Sequence, residues 1–159
     1  MGSLLVSVLS LALGMAAGLT IVHAQSKPGS AVPPIAGQVT FLYYNDLPTA
    51  SVFYGKVLGE RPTFSVDWVT MYRLSPTSVV GLVNATRGSL HPSTEKPVMV
   101  SLVVDSPRQV DQWRARLKQL GIAVAKEPRT SDVGGGKRVH SFMFKDPEGY
   151  TLEVFAWGK

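Results

Sequence analysis

The sequence predicts an α+β fold in which two β-α-β-β-β modules form one domain with a concave pocket. Two observations predict it. A β-branched and aromatic run followed by an amphipathic helical stripe occurs twice, at residues 39–58 and again at 98–120. Each stripe ends on a glycine and is followed by further short apolar runs. The chain has 159 residues, of which 45% are hydrophobic, enough for a single domain and its core.

Residues 1–24 contain no Lys, Arg, Asp or Glu, and they end in Val22, His23 and Ala24 before the polar Gln25, Ser26 and Lys27. This small-x-small pattern predicts a secretory signal peptide cleaved after Ala24, and so a periplasmic or secreted protein. The alternative is an uncleaved membrane anchor, since roughly 18 apolar residues nearly span a bilayer. Residues 25–37, rich in Pro, Ser, Gly and Ala, read as a linker. The domain is then 38–159, with half-modules at about 38–84 and 97–157.

In the first half, the run at 39–44 is closed by Asn45, Asp46, Leu47 and Pro48. Ala50, Phe53, Tyr54, Val57 and Leu58 then fall at helical spacing, stopped by Gly59. Strands are expected at 64–66, 69–74 and 79–83, with a turn at 75–78. Residues 85–96 link the halves, with Gly88 and Pro92 as breakers. In the second half, the run at 98–104 is followed by Asp105, Ser106 and Pro107. The helical stripe is Val110, Trp113, Leu117 and Leu120, stopped by Gly121. Strands are expected at 122–125, 139–144 and 150–155, with a turn at Asp146, Pro147, Glu148 and Gly149. Residues 128–137, with three consecutive glycines, read as a soft loop.

Composition removes several function classes. With no cysteine there is no disulfide, iron–sulfur cluster, thiolate zinc site or cysteine nucleophile. The net charge of +5 is spread without any run of five basic residues, so no nucleic-acid partner is expected. Gly134, Gly135 and Gly136 lack a following Lys-Ser/Thr and precede a strand, so they are no phosphate loop. No nucleophile elbow accompanies any serine.

Asn45-Asp46-Leu47 with Phe53-Tyr54-Gly55-Lys56-Val57-Leu58-Gly59, and later Asp146-Pro147-Glu148-Gly149-Tyr150-Thr151-Leu152-Glu153-Val154, resemble the vicinal oxygen chelate superfamily. That superfamily comprises glyoxalase I, bleomycin- and fosfomycin-resistance proteins and extradiol dioxygenases. The resemblance implies a glyoxalase-like domain and, from its relatives, a homodimer. Metal-dependent members place four ligands, one in the first and one in the last strand of each half. The resemblance carries these positions onto Val39, Leu82, Met99 and Glu153, of which Glu153 alone is a ligand type. A slip of one residue would add Gln38. A divalent metal is therefore disfavoured, and no cofactor is expected.

Strand alternation sorts the remaining candidates. Val39, Phe41 and Tyr43 share a face, as do Met99, Ser101 and Val103, and Thr151, Glu153 and Phe155. The register implied by the resemblance turns Ser141 and Met143 inward and His140, Phe142 and Phe144 outward. Glu153 reads either as a general base or polar anchor in an apolar channel, or as a carboxylate satisfied by Thr151, Ser141 or Ser101. Phe41, Tyr43, Trp68, Tyr72 and Phe155 could wall a planar ligand, and each could equally be core. His140 is a metal or base candidate only if it shares the face of Glu153. Two functions compete: binding of a small molecule in an apolar channel without metal, or a lyase, isomerase or dioxygenase-like reaction using Glu153 as base or ligand.

Overall fold

The structure is a computed structural model that describes residues 33–158. The expected signal peptide, its cleavage site and most of the linker lie outside the described residues; residues 33–37 are exposed and have no regular structure.

The first half runs β1 (Gln38–Tyr44), α1 (Leu47–Leu58), β2 (Phe64–Val66), β3 (Val69–Ser75) and β4 (Ser78–Asn84). The second repeats it as β5 (Met99–Val103), α2 (Pro107–Gln119), β6 (Arg129–Gly134), β7 (Lys137–Lys145) and β8 (Thr151–Trp157). Each half forms a four-stranded sheet, ordered β1-β4-β3-β2 and β5-β8-β7-β6. In each, the first strand pairs parallel with the last and the other pairs are antiparallel.

Both helices begin where the sequence supplies a cap. Asp46 accepts from the Thr49 N–H and hydroxyl at 3.0 and 2.7 Å, and Ser106 accepts from the Gln109 N–H at 3.4 Å. The first ends at Gly59, whose φ of 73° is the left-handed conformation that suits glycine.

One feature of the second half differs from expectation. Residues 122–125 make only a single bridge, Val124 to Phe144. The third element of that half is instead β6, inside the segment read as a soft loop. Its residues are mostly exposed and polar, so it lacks an apolar run. Pairing with β7 through a hairpin makes it a strand, and Gly134, Gly135 and Gly136, all at positive φ, form the tip.

Alternate residues of each sheet pack onto the helices. Leu42, Tyr44, Val80 and Leu82 from one half and Phe142, Phe144, Leu152 and Val154 from the other join one buried cluster with both helices. The helix C-termini also cap each other. Arg116 of α2 donates to the Val57 and Lys56 carbonyls at 3.0 Å each, and Lys56 of α1 donates to the Leu120 carbonyl at 2.8 Å.

A polar joint completes the contact between halves. The Tyr44 hydroxyl donates to Asp146 Oδ2 at 2.6 Å and accepts from the Tyr54 hydroxyl at 3.1 Å. The Tyr150 hydroxyl donates to the Tyr43 carbonyl at 2.9 Å and accepts from the Tyr43 N–H at 3.2 Å. Desolvation pushes the Asp146 carboxyl above its ordinary value, against the pull of the Tyr44 hydroxyl and two backbone N–H groups. Burial likewise raises Tyr44 and Tyr54.

Candidate functional site

The faces of the sheets turned away from the helices are open, and pairing arranges their side chains in rows. In the second half, Met99, Thr151 and Lys145 form one row. Ser101, Glu153 and Met143 form the next, and Val103, Phe155, Ser141 and Arg129 the third. Trp157 and Val139 follow. Glu153 is half-buried at the centre of this face, and the Ser101 hydroxyl donates to its Oε2 at 2.8 Å. Of the Thr151, Ser141 and Ser101 hydroxyls, Ser101 is the donor, across the β5–β8 pair.

Around the carboxylate Met99, Met143, Val103 and Phe155 share the face with Ser101, Ser141, Thr151 and Lys145. Met99 is 45% exposed and Met143 47%. Phe155 lies edge-on to Trp157, with ring centroids 5.4 Å apart. The Lys137 ammonium sits over the Trp157 ring. Trp157 was not among the sequence candidates; continuing the β8 alternation two residues past Phe155 would have found it.

The first half presents Val39, Phe41 and Tyr43 from β1, with Val79, Gly81 and Val83 from β4 and Met71 and Arg73 from β3. The Cδ1–Cε1 edge of the Phe41 ring packs against Gly81, so closely that a Cβ there would meet it at 2.5 Å. Tyr43 is covered by the loop at Gly88, and its hydroxyl lies 3.5 Å from that of Ser89. Trp68 is partly exposed at the β2–β3 turn.

Two expectations, Tyr72 and Leu82, change place, and the two alternatives, Gln38 and His140, stand on the helix side of their sheets. Tyr72 is not on the open face: it is 3% exposed, stacks on Tyr54 and donates to the Ser51 carbonyl of α1 at 2.7 Å. Its β3 neighbours alternate, and pairing with Val80 assigns it to the helix side. Leu82 is likewise fully buried against the helix, so the ligand position of the first half is Gly81, which is paired with Phe41 as Glu153 is with Ser101. The slip that would add Gln38 does not occur; Gln38 shares its side with Thr40, to which it donates at 3.1 Å. His140 lies on the helix side, 2.9 Å from Asp111 Oδ1 of α2 and 3.0 Å from the Thr130 hydroxyl. It cannot join Glu153, whose side chain points to the other face of the sheet.

The four corner positions are therefore Val39, Gly81, Met99 and Glu153. One carboxylate, a thioether and two residues without a donor do not fit a hard divalent cation. No group of three or more His, Asp or Glu suited to a metal occurs among the described residues.

The sequence model of the Glyoxalase/Bleomycin resistance protein/Dioxygenase superfamily matches residues 13–154, and the chain belongs to that superfamily. No curated protein matches. Among solved structures, a lactoylglutathione lyase from Agrobacterium tumefaciens is similar at 23% identity, covering 78% of this chain and 95% of its own, with a TM-score of 0.61. A glyoxalase/bleomycin resistance protein/dioxygenase from Nocardioides shares 23% identity over 81% of this chain and 87% of its own, with a TM-score of 0.65. One from Alicyclobacillus acidocaldarius shares 17% over 77% and 92%, with a TM-score of 0.62. At these identities the likeness establishes the fold.

Proposed function

We propose that this member of the superfamily is an exported, metal-independent binding protein for small apolar molecules that carry a hydrogen-bond donor. The observation that carries the reading is Glu153: a carboxylate on an open face beside Met99, Met143, Val103 and Phe155, bonded by Ser101 through one oxygen, with the other three corners empty of ligand types. A donor on the ligand would meet the remaining carboxylate oxygen, while Met99, Met143 and Phe155 contact its apolar body.

The same face supports a homodimer. Val39, Phe41, Phe64 and Val66 in one half, with Met99, Val103, Met143 and Trp157 in the other, are all more than 40% exposed. Covering both faces with a second copy would close the channel and remove this apolar surface from water. The uncharged N-terminal segment supports export, with cleavage after Ala24 or retention as an anchor.

The test is binding of naphthylmethylamine, read from tryptophan fluorescence, to the wild type and to Glu153→Gln. The expected result is at least tenfold weaker binding by the variant with a nearly unchanged melting temperature, because the Ser101 bond survives the substitution. Equal affinities would remove Glu153 as anchor. A second reading, a lyase or isomerase with Glu153 as base, is favoured by the same one-sided hydrogen bond, which leaves an oxygen free to accept a proton. Turnover of aldehydes or thiol adducts that is lost in Glu153→Gln would select it.

A further inference from the structure

Segment 122–125 joins the sheet only through the Val124–Phe144 bridge, and beside it lies a cleft of about 510 Å³. The cleft is lined by this segment and by Met143, Phe144, Lys145 and Thr151. Its walls are apolar, and it contains neither Glu153 nor Ser101.

Lys145 is its one charged group. The ammonium donates to the Thr151 hydroxyl at 2.7 Å and to the Gly149 carbonyl at 3.1 Å. Two of its three N–H bonds are thereby used on neutral acceptors, which holds the head in place and leaves one donor. Among the described residues no carboxylate forms an ion pair with it. The carboxylate of the same face, Glu153, stands two residues along β8 from Thr151, about 7 Å away by strand geometry. A positioned cation without a counter-ion, set beside apolar walls, is complementary to an anion with an apolar tail.

The first half shows what is special here. Arg73, in the equivalent β3 position, lines a cleft with Glu60 and Arg61, where a carboxylate and a second cation already share the field.

We propose that the cleft binds an apolar carboxylate, with Lys145 as the anion anchor and segment 122–125 and Met143 around the tail. The site borders the one assigned to Glu153 and shares Met143 with it, but its anchor is Lys145 and it does not rest on that reading.

The experiment is displacement of anilinonaphthalene sulfonate fluorescence by octanoate and by its neutral counterpart octanol, using the full chain. Wild type should bind octanoate at least tenfold more tightly than octanol, and Lys145→Met should bring the two within twofold. Circular dichroism melting checks that the variant folds. Should it not, Ala125→Leu, which fills the cleft and leaves Lys145 in place, should weaken both ligands together. Glu153→Gln should not weaken octanoate, so failure of the Glu153 reading and failure of this one are distinguishable. Absence of octanoate binding, equal binding of octanol by the wild type, a preference kept by Lys145→Met, or octanoate affinity unaffected by Ala125→Leu would overturn the assignment.

Discussion

Gly81 and Glu153 hold equivalent places in the two halves, each paired across a parallel strand contact, with Phe41 in one case and Ser101 in the other. In the first half, the missing side chain is replaced by the Phe41 ring, which lies against the backbone. In the second, a carboxylate stands up from the sheet with a serine beside it. On the opposite side, the two halves agree: Val80 and Leu82 match Leu152 and Val154, all at most 1% exposed. The helix side is under the constraint of close packing, where volume and apolarity must both be right. The open side carries no such constraint, so one half can be finished as apolar surface and the other as a polar site on the same backbone.

Three sets of substitutions sharpen or break this comparison. The largest effect is expected on the shared side. Leu82→Ala should cost about 2–5 kcal/mol and Val154→Ala about 2 kcal/mol, read by urea unfolding. Because both side chains belong to one cluster, each should shift a single common transition. Two transitions, one answering to each variant, would separate the halves energetically.

Next is the contact special to the first half. Gly81→Ala places a Cβ 2.5 Å from the Phe41 ring and should cost about 1–3 kcal/mol. In a Phe41→Ala background, the same change should be near neutral, and the difference is the coupling of the pair. A cost that persists without Phe41 would mean that the sheet itself requires glycine there.

The smallest effect concerns the turn before β8, which carries the Asp146 carboxylate, whereas the turn before β4, residues 75–78, has no acidic residue. The Asp146 carboxyl is raised above 3.8 in the folded protein, chiefly by burial, with the Tyr44 and Tyr54 hydroxyls and the Glu148 carboxylate nearby. The folded state thus holds that proton more tightly than the unfolded chain does. The resulting stabilisation is complete below the unfolded value and fades as pH rises through the folded one. Melting of the wild type compared with Asp146→Asn across mildly acidic pH should show the wild type losing ground as pH rises. A difference independent of pH would mean that the carboxyl titrates alike in both states.

Both helices, every strand but β6 and the grouping of Phe41, Met99, Ser101, Met143 and Glu153 by face were legible along the chain. The helices follow from caps at Asp46 and Ser106 and glycine stops, alternation groups the side chains of each strand, and the resemblance implied which group faces out. Motif likeness between the turns also located Glu153. It misplaced the matching position by one residue, at Leu82, because a motif aligns letters and a sheet aligns hydrogen-bonded pairs. Only the Phe41–Gly81 pairing resolves which residue faces out. Tyr72 and β6 were beyond local reading for a related reason. An aromatic side chain fits either face of a strand, and the choice fell to the Ser51 carbonyl on α1. A polar, exposed strand such as β6 has no periodic signal, and it becomes a strand only when β7 supplies the partner for its backbone groups. The cleft around Lys145 is of the same kind: its walls come from segments distant along the chain, and its chemistry arises when folding brings a fixed cation beside them.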